Sequence, residues 1–305
     1  NAAAANAAAA NAAAANAATA NATTASVGTA AAATAAACAS PPGTRIISHQ
    51  PLTAEENAQV DAALGAGDEN ELMGELEQVP VRRKDIALLR PYPAPITDGW
   101  LNDELINWYM AYINKCVAND ESLLRIHCMN STFYSKLAES EDGYCFMNVR
   151  RWTTPRKVKG TIFSKTMIAI PIHRGGNHWT LAVIDFMRRH FAYYDPLSWQ
   201  LEKEEKELWW EGTKQRLAHL REWLREERDD KSDHEMCPQE LNLSEWQDVV
   251  YERAPKQTNA YDCGVFLCVT AEYLAHDGDL TSMKQEHMVD WRRRIVYRIV
   301  NFRPE

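Results

Sequence analysis

Gln257-Thr258-Asn259-Ala260-Tyr261-Asp262-Cys263-Gly264-Val265-Phe266-Leu267-Cys268-Val269 is the stretch on which the fold turns. From Cys263 the run is apolar on every face and stays so through Leu274, the pattern of a buried helix. Asp262 stands where an N-cap belongs, which puts Cys263 in the first turn. Unpaired backbone N–H groups and the positive end of the helix dipole meet there, and both favour a thiolate. Gly264 is read as leaving room for a substrate backbone to approach the sulfur. Gln257, six residues before the Cys, brings a side-chain amide that with the Cys263 N–H makes an oxyanion hole.

A thiol becomes a useful nucleophile when an imidazole takes its proton and an acceptor holds that imidazole. Working outward from Cys263, the base is His178 in Asn177-His178-Trp179, and the acid is Asp195 in Tyr194-Asp195-Pro196. They lie 17 residues apart, on an apolar run from His178 to Phe186 and a second from His190 to Tyr194, with Met187-Arg188-Arg189 as the turn. A hairpin folds such residues back beside each other. Taken singly, a His beside a Trp or a Cys opening an apolar helix is more often core. Four such residues in the chain order His, Asp, Gln, Cys make a catalytic set. A zinc site of Cys263, Cys268 and His276 is disfavoured, since a separation of five turns the two thiols apart around a helix, and no metal is expected. A non-catalytic binding module needs none of the four residues.

Further motifs carry a family resemblance. Trp100-Leu101-Asn102-Asp103, Val149-Arg150-Arg151-Trp152-Thr153, Ile170-Pro171-Ile172-His173 leading to His178-Trp179-Thr180-Leu181, Tyr193-Tyr194-Asp195 and Gln257 to Gly264 resemble, in order, the motifs of the SUMO-specific (sentrin/Ulp) cysteine proteases. The resemblance runs from about Leu52 to the C-terminus. It implies an α+β, adenain-like (papain-related) fold, with the catalytic Cys on a central helix packed against a mixed sheet that carries His and Asp. It also implies that His178, Asp195 and Cys263 are the triad and Gln257 the oxyanion donor. Trp100 and Trp179 then line a narrow tunnel for a Gly-Gly tail, and Asp103 pairs with a basic residue of SUMO. Two indole faces leave a slot too narrow for a Cβ, so diglycine alone passes. Thr132 stands where relatives often carry an aromatic, a departure that bears on paralogue preference. The implied activity is a thiol isopeptidase and endopeptidase that cuts after the diglycine of a SUMO-like modifier, without a cofactor, on precursors and on sumoylated proteins. The alternatives are a deconjugase for another ubiquitin-like modifier and a clan-related acyltransferase; the two tryptophans and Trp100-Leu101-Asn102-Asp103 favour the peptidase.

Composition agrees with this. The 305 residues, 46% hydrophobic and 25% charged, suit one large domain and a tail. A net charge of −9 argues against nucleic acid as the main partner. Seven irregularly spaced cysteines and no visible secretory signal fit a reducing nuclear or cytoplasmic setting, and the resemblance favours the nucleus. No apolar run has the length and purity of a membrane span, so no membrane partner is expected, and the chain is expected to be a monomer. It begins at Asn1 rather than Met, consistent with a fragment.

Residues 1–44 are low in complexity, with Asn1, Asn6, Asn11, Asn16 and Asn21 punctuating Ala runs and no charge before Arg45. With no amphipathic face to bury, they are read as a disordered tail ahead of a protease domain at 45–305. The domain begins with a capping box, Thr53 with Glu56. Further expectations are a helix after Trp100 with Leu105, Tyr109, Tyr112, Ile113 and Cys116 on one face, and a strand at 166–172. They continue with a charged helix over 201–229 with Trp209, Leu217, Leu220 and Leu224 inside, a strand at 247–252, and a closing helix marked by Met288, Trp291, Ile295 and Ile299.

Overall fold

A computed structural model describes residues 43, 45–47, 50–91, 99–141, 143–233, 236–251 and 254–303. The tail expected over 1–44 lies, apart from Gly43, outside the described residues. Helix α1 (Ala54–Leu64) opens with the Thr53–Glu56 capping box, both hydrogen bonds formed. A hairpin of β1 (Leu72–Leu76) and β2 (Val79–Arg82) and a short helix α2 (Arg83–Ala87) follow. Helix α3 (Asp103–Asn119) is capped by the Asn102 side chain, which accepts from the Leu105 N–H at 3.2 Å. It buries Leu105, Tyr109 and Ile113 as the periodicity predicts, together with Ile106, Trp108 and Met110, while Tyr112 and Cys116 are only half-buried.

The central sheet is five-stranded and mixed: β3 (Ile126–Cys128), β4 (Met167–Arg174), β5 (His178–Asp185), β6 (His190–Tyr194) and β7 (Gln247–Val250), in that order. The inner pairs β4–β5 and β5–β6 are antiparallel, and the outer strands β3 and β7 join in parallel. Gly175 (φ 56°) and Gly176 (φ 77°) supply the left-handed backbone that a tight turn between β4 and β5 requires.

Strand alternation divides the core into two layers. Ala169, Trp179, Leu181, Val183 and Ala192 face α3, α7 (Cys263–Ala275) and α8 (Met288–Asn301). Ile168, Ile170, Ile172, Ala182, Ile184 and Tyr193 face α6 (Lys203–Asp230) and the segment before β4, which carries the short helices α4 (Phe133–Ala138) and α5 (Pro155–Val158). Every residue of α7 is buried, as an all-round apolar helix must be. α6 buries Trp209, Leu217, Leu220 and Leu224 and also Thr213, Trp223 and Glu227, leaving its charged face to solvent. Among the described residues no helix is long and apolar enough to cross a membrane.

Candidate active site

The site lies where the N-terminus of α7 meets the end of the β4–β5–β6 sheet. Cys263 is the first residue of α7 and is 2% exposed. Asp262 occupies the cap position, but its side chain makes no capping bond. It accepts instead from Arg292 Nε at 2.7 Å and from Asn259 Nδ2 and Gln285 Nε2 at 2.6 Å each. Gly264 also differs from its sequence reading. A Cβ there would lie 2.8 Å from Leu101 Cβ and 3.3 Å from Trp179 Cδ1, so the space is filled by the protein and lets α7 close on the Trp100-Leu101 segment.

His178 begins β5 and Asp195 follows β6, and the antiparallel register brings them together: His178 Nε2 lies 2.8 Å from Asp195 Oδ1, both side chains buried. The other ring nitrogen, Nδ1, is buried without an ordinary hydrogen bond, and besides Asp195 it is the Cys263 thiol that acts on the imidazole. Burial disfavours the imidazolium, but the Asp195 charge and hydrogen bond and the Cys263 thiol outweigh it and carry His178 up to about 10. Asp195 shows the converse. Burial pushes its carboxyl up, and the His178 charge and hydrogen bond, Arg174 and the Leu197 N–H hold it well below the usual carboxylate range. The pair is thus suited to hold an imidazolium beside Cys263.

Gln257 is fully buried and tied to the acid's loop: its N–H donates to the Pro196 carbonyl at 2.9 Å, and its carbonyl accepts from Trp199 Nε1 and Gln200 Nε2. Its Nε2 donates to the Asn259 carbonyl at 2.7 Å and, at 3.4 Å, faces Asn259 Oδ1, so the amide is held by its own loop. Trp100 Nε1 donates to the Ala260 carbonyl at 2.8 Å, and Trp179 Nε1 to the Leu101 carbonyl at 2.7 Å. The two indoles are therefore braced against the loop before Cys263 and the segment before α3. They line a groove of about 690 Å³ whose wall also includes Asp103, Thr132, His173 and Gly176. Asp103 is exposed in the first turn of α3, and His173 stacks on Trp179 with ring centroids 4.3 Å apart.

The structure thus brings His178, Asp195 and Cys263 to one point and Trp100, Asp103 and Trp179 to one groove beside it. Sequence reasoning missed Arg174, Trp209 and Arg292. Each donates to Asp195 or Asp262 from another element, and although Trp209 reads as an inner residue of its helix, nothing local marks these contacts.

Known proteins resemble this chain in sequence and in fold. The chain is 30% identical over 259 residues to Ubiquitin-like-specific protease ESD4 of Arabidopsis thaliana, an alignment covering 84% of this chain and 47% of that protein. It is 31% identical over 257 residues to Sentrin-specific protease 2 of Homo sapiens, covering 82% of this chain and 37% of that one. It therefore spans less than half the length of these curated relatives. Among solved structures, the C-terminal Ulp1 protease domain in complex with Smt3, the yeast ortholog of SUMO, superposes with a TM-score of 0.62 at 27% identity, covering 82% of this chain and 96% of that one. The Ulp1-like SUMO protease catalytic domain of Chaetomium thermophilum gives 0.60 at 28% identity, over 86% and 94%. Through its match over residues 99–301 to the Ulp1 protease family, C-terminal catalytic domain, this chain belongs to that family.

Proposed function

We propose that the chain is a SUMO-specific thiol isopeptidase, which removes a SUMO-like modifier from lysine and matures its precursor by cutting after the C-terminal diglycine. Cys263 attacks the terminal glycine carbonyl, and His178 takes the thiol proton on Nδ1 while Asp195 holds Nε2–H and balances the imidazolium. The Cys263 N–H and the Gln257 amide stabilise the oxyanion, the amide exchanging its longer contact to Asn259 for the substrate. Collapse breaks the C–N bond, the leaving amine takes the proton from His178, and a thioester remains. A water deprotonated by His178 then hydrolyses it and returns the thiol.

Trp100 and Trp179 hold the diglycine in the groove, and Asp103 meets a basic residue of the modifier. We further propose that sumoylated proteins are the substrates, that the domain is 45–305 and acts as a monomer, and that it works in the nucleus or cytoplasm. The observation that carries the reading is the buried 2.8 Å His178–Asp195 pair at the foot of the helix headed by Cys263, beside the tryptophan-lined groove. The Smt3 complex of the related Ulp1 domain supports the substrate class.

The test is turnover of SUMO, ubiquitin and neddylation-type fusions by the wild-type and Cys263→Ala chains. Cleavage of the SUMO fusion is expected, abolished in Cys263→Ala with modifier binding retained. Preferred cleavage of another fusion moves the assignment to that modifier, and wild-type turnover by Cys263→Ala removes the nucleophile.

A further inference from the structure

The two oxygens of Asp195 are used differently. Oδ1 accepts from His178 Nε2 at 2.8 Å and from the Leu197 N–H at 3.0 Å. Oδ2 takes no part in the proton transfer, yet it accepts from Arg174 Nη1 at 2.9 Å and from Trp209 Nε1 at 2.8 Å. The side chain is 2% exposed, so water does not replace either donor. Arg174 ends β4 and pairs in register with His178 across the Gly175-Gly176 turn, which puts both side chains on the sheet face that α6 covers. Trp209 comes down from α6 onto that face, 7% exposed, with its ring edge-on to Tyr193. A buried carboxylate with one oxygen unserved gains by turning to share its donors or by taking up a proton. With Oδ2 filled by a cation and an indole N–H, turning away from His178 costs two hydrogen bonds, one of them charge-assisted.

We propose that Arg174 and Trp209 are positioning residues for Asp195: together they hold Oδ2 so that Oδ1 stays on His178, and Arg174 sets a positive charge beside the carboxylate. The inference rests on the cysteine-protease reading, because it bears on catalysis only if His178 is the base for Cys263. The two residues divide the work. Trp209 fixes orientation without charge, and Arg174 fixes charge as well as orientation. The titratable and charged groups that face Asp195 are His178 from β5, Arg174 from β4 and Tyr193 from β6, with Cys263 of α7 reaching it through His178.

The experiment uses Trp209→Phe, Arg174→Gln and Arg174→Lys in the full chain. One readout is kcat and KM on a SUMO fusion. The other is the pH dependence of Cys263 alkylation by iodoacetamide, followed by mass spectrometry, which needs no knowledge of the substrate. Loss of one hydrogen bond to a charged group is expected to lower kcat about tenfold to a hundredfold in Trp209→Phe with KM unchanged. The acid limb of alkylation should move to higher pH in Trp209→Phe and Arg174→Gln, because a loosened or protonated Asp195 supports the imidazolium less well. Arg174→Lys restores the charge and should recover the limb. Limbs that superpose on wild type in both Trp209→Phe and Arg174→Gln overturn the proposal, whether or not melting temperature falls, and leave the two residues a structural role. Should Trp209→Phe fail to fold, the Arg174 pair decides alone. Shifted limbs in a chain that cleaves no SUMO fusion would uphold the positioning role and refute the substrate instead.

Discussion

Asp262 and Arg292 form a buried ion pair at the root of the helix that carries Cys263, Nε to Oδ1 2.7 Å, with side chains 4% and 1% exposed. The same guanidinium donates to the carbonyls of Leu88, Gly99 and Tyr261 at 2.8–2.9 Å. One side chain therefore joins α8 to the chain just before Trp100 and to the loop just before Cys263. Its fork of donors meets acceptors in several directions at once, a geometry a lysine ammonium does not reproduce.

Breaking that pair leaves the Asp262 carboxylate in the interior without its cation, held by the Asn259 and Gln285 amides. Arg292→Leu is expected to destabilise the chain by about 3–5 kcal/mol, and Arg292→Lys to recover only part of it. Urea denaturation of the variants measures this. A loss under about 1 kcal/mol in Arg292→Leu would mean that the pair stabilises little and that the packing of α8 alone sets the loop.

Gly264→Ala is expected to push Leu101 and Trp179 away from α7, since the added Cβ would lie 2.8 Å from Leu101 Cβ. Overpacking of this kind costs about 1–3 kcal/mol. Because Trp179 lines the groove, kcat/KM on a SUMO fusion should fall along with melting temperature. A variant of wild-type stability with reduced turnover would restore the alternative, that the glycine clears a path for substrate.

Much of the fold could be read because its key elements are locally consistent. α7 is apolar on all sides, α1 has its capping box, and the His178 and His190 strands flank a turn where Arg189 takes a left-handed φ of 56°. The β1–β2 hairpin could not be read. Glu77 and Gln78 take the positive φ values of the turn in place of Gly or Asn, Pro80 sits inside β2, and the register slips between Leu72 and Gly74. β3 is only three residues long, too short for alternation to show. His178, Asp195 and Cys263 were legible because their chemistry is unusual as a set. Arg292 was not, since within Arg292-Arg293-Arg294 only the tertiary contacts of α8 decide which arginine is buried.

His178 links stability to pH. Its native value is raised from 6.5 to about 10, so the native state binds the proton more tightly than the unfolded chain. That contribution is complete below pH 6.5 and lost progressively as pH rises toward about 10. Asp195, held below 3.8, contributes above that pH and loses its contribution as pH falls through its lowered native value. Urea unfolding between pH 6.5 and 10 should therefore show wild type losing stability more steeply than His178→Gln. Parallel curves would mean that the imidazole is neutral in the native state.

Gln257→Ala tests the oxyanion role against the loop role that its bonds to Asn259 suggest. An oxyanion donor acts in the transition state, so kcat is expected to fall roughly 10²–10³-fold with KM little changed. A change confined to KM, or a large fall in melting temperature with kcat preserved, would assign Gln257 to the loop.

Covalent capture shows whether Cys263 is the nucleophile for a diglycine-ended SUMO-like modifier. The chain is treated with vinyl-sulfone forms of SUMO, ubiquitin and a neddylation-type modifier, and the adduct is mapped by mass spectrometry. A SUMO adduct on Cys263 is expected, one that disappears in Cys263→Ala and persists in Cys268→Ala. A modifier bound at another cysteine, or capture of ubiquitin in preference to SUMO, would contradict it.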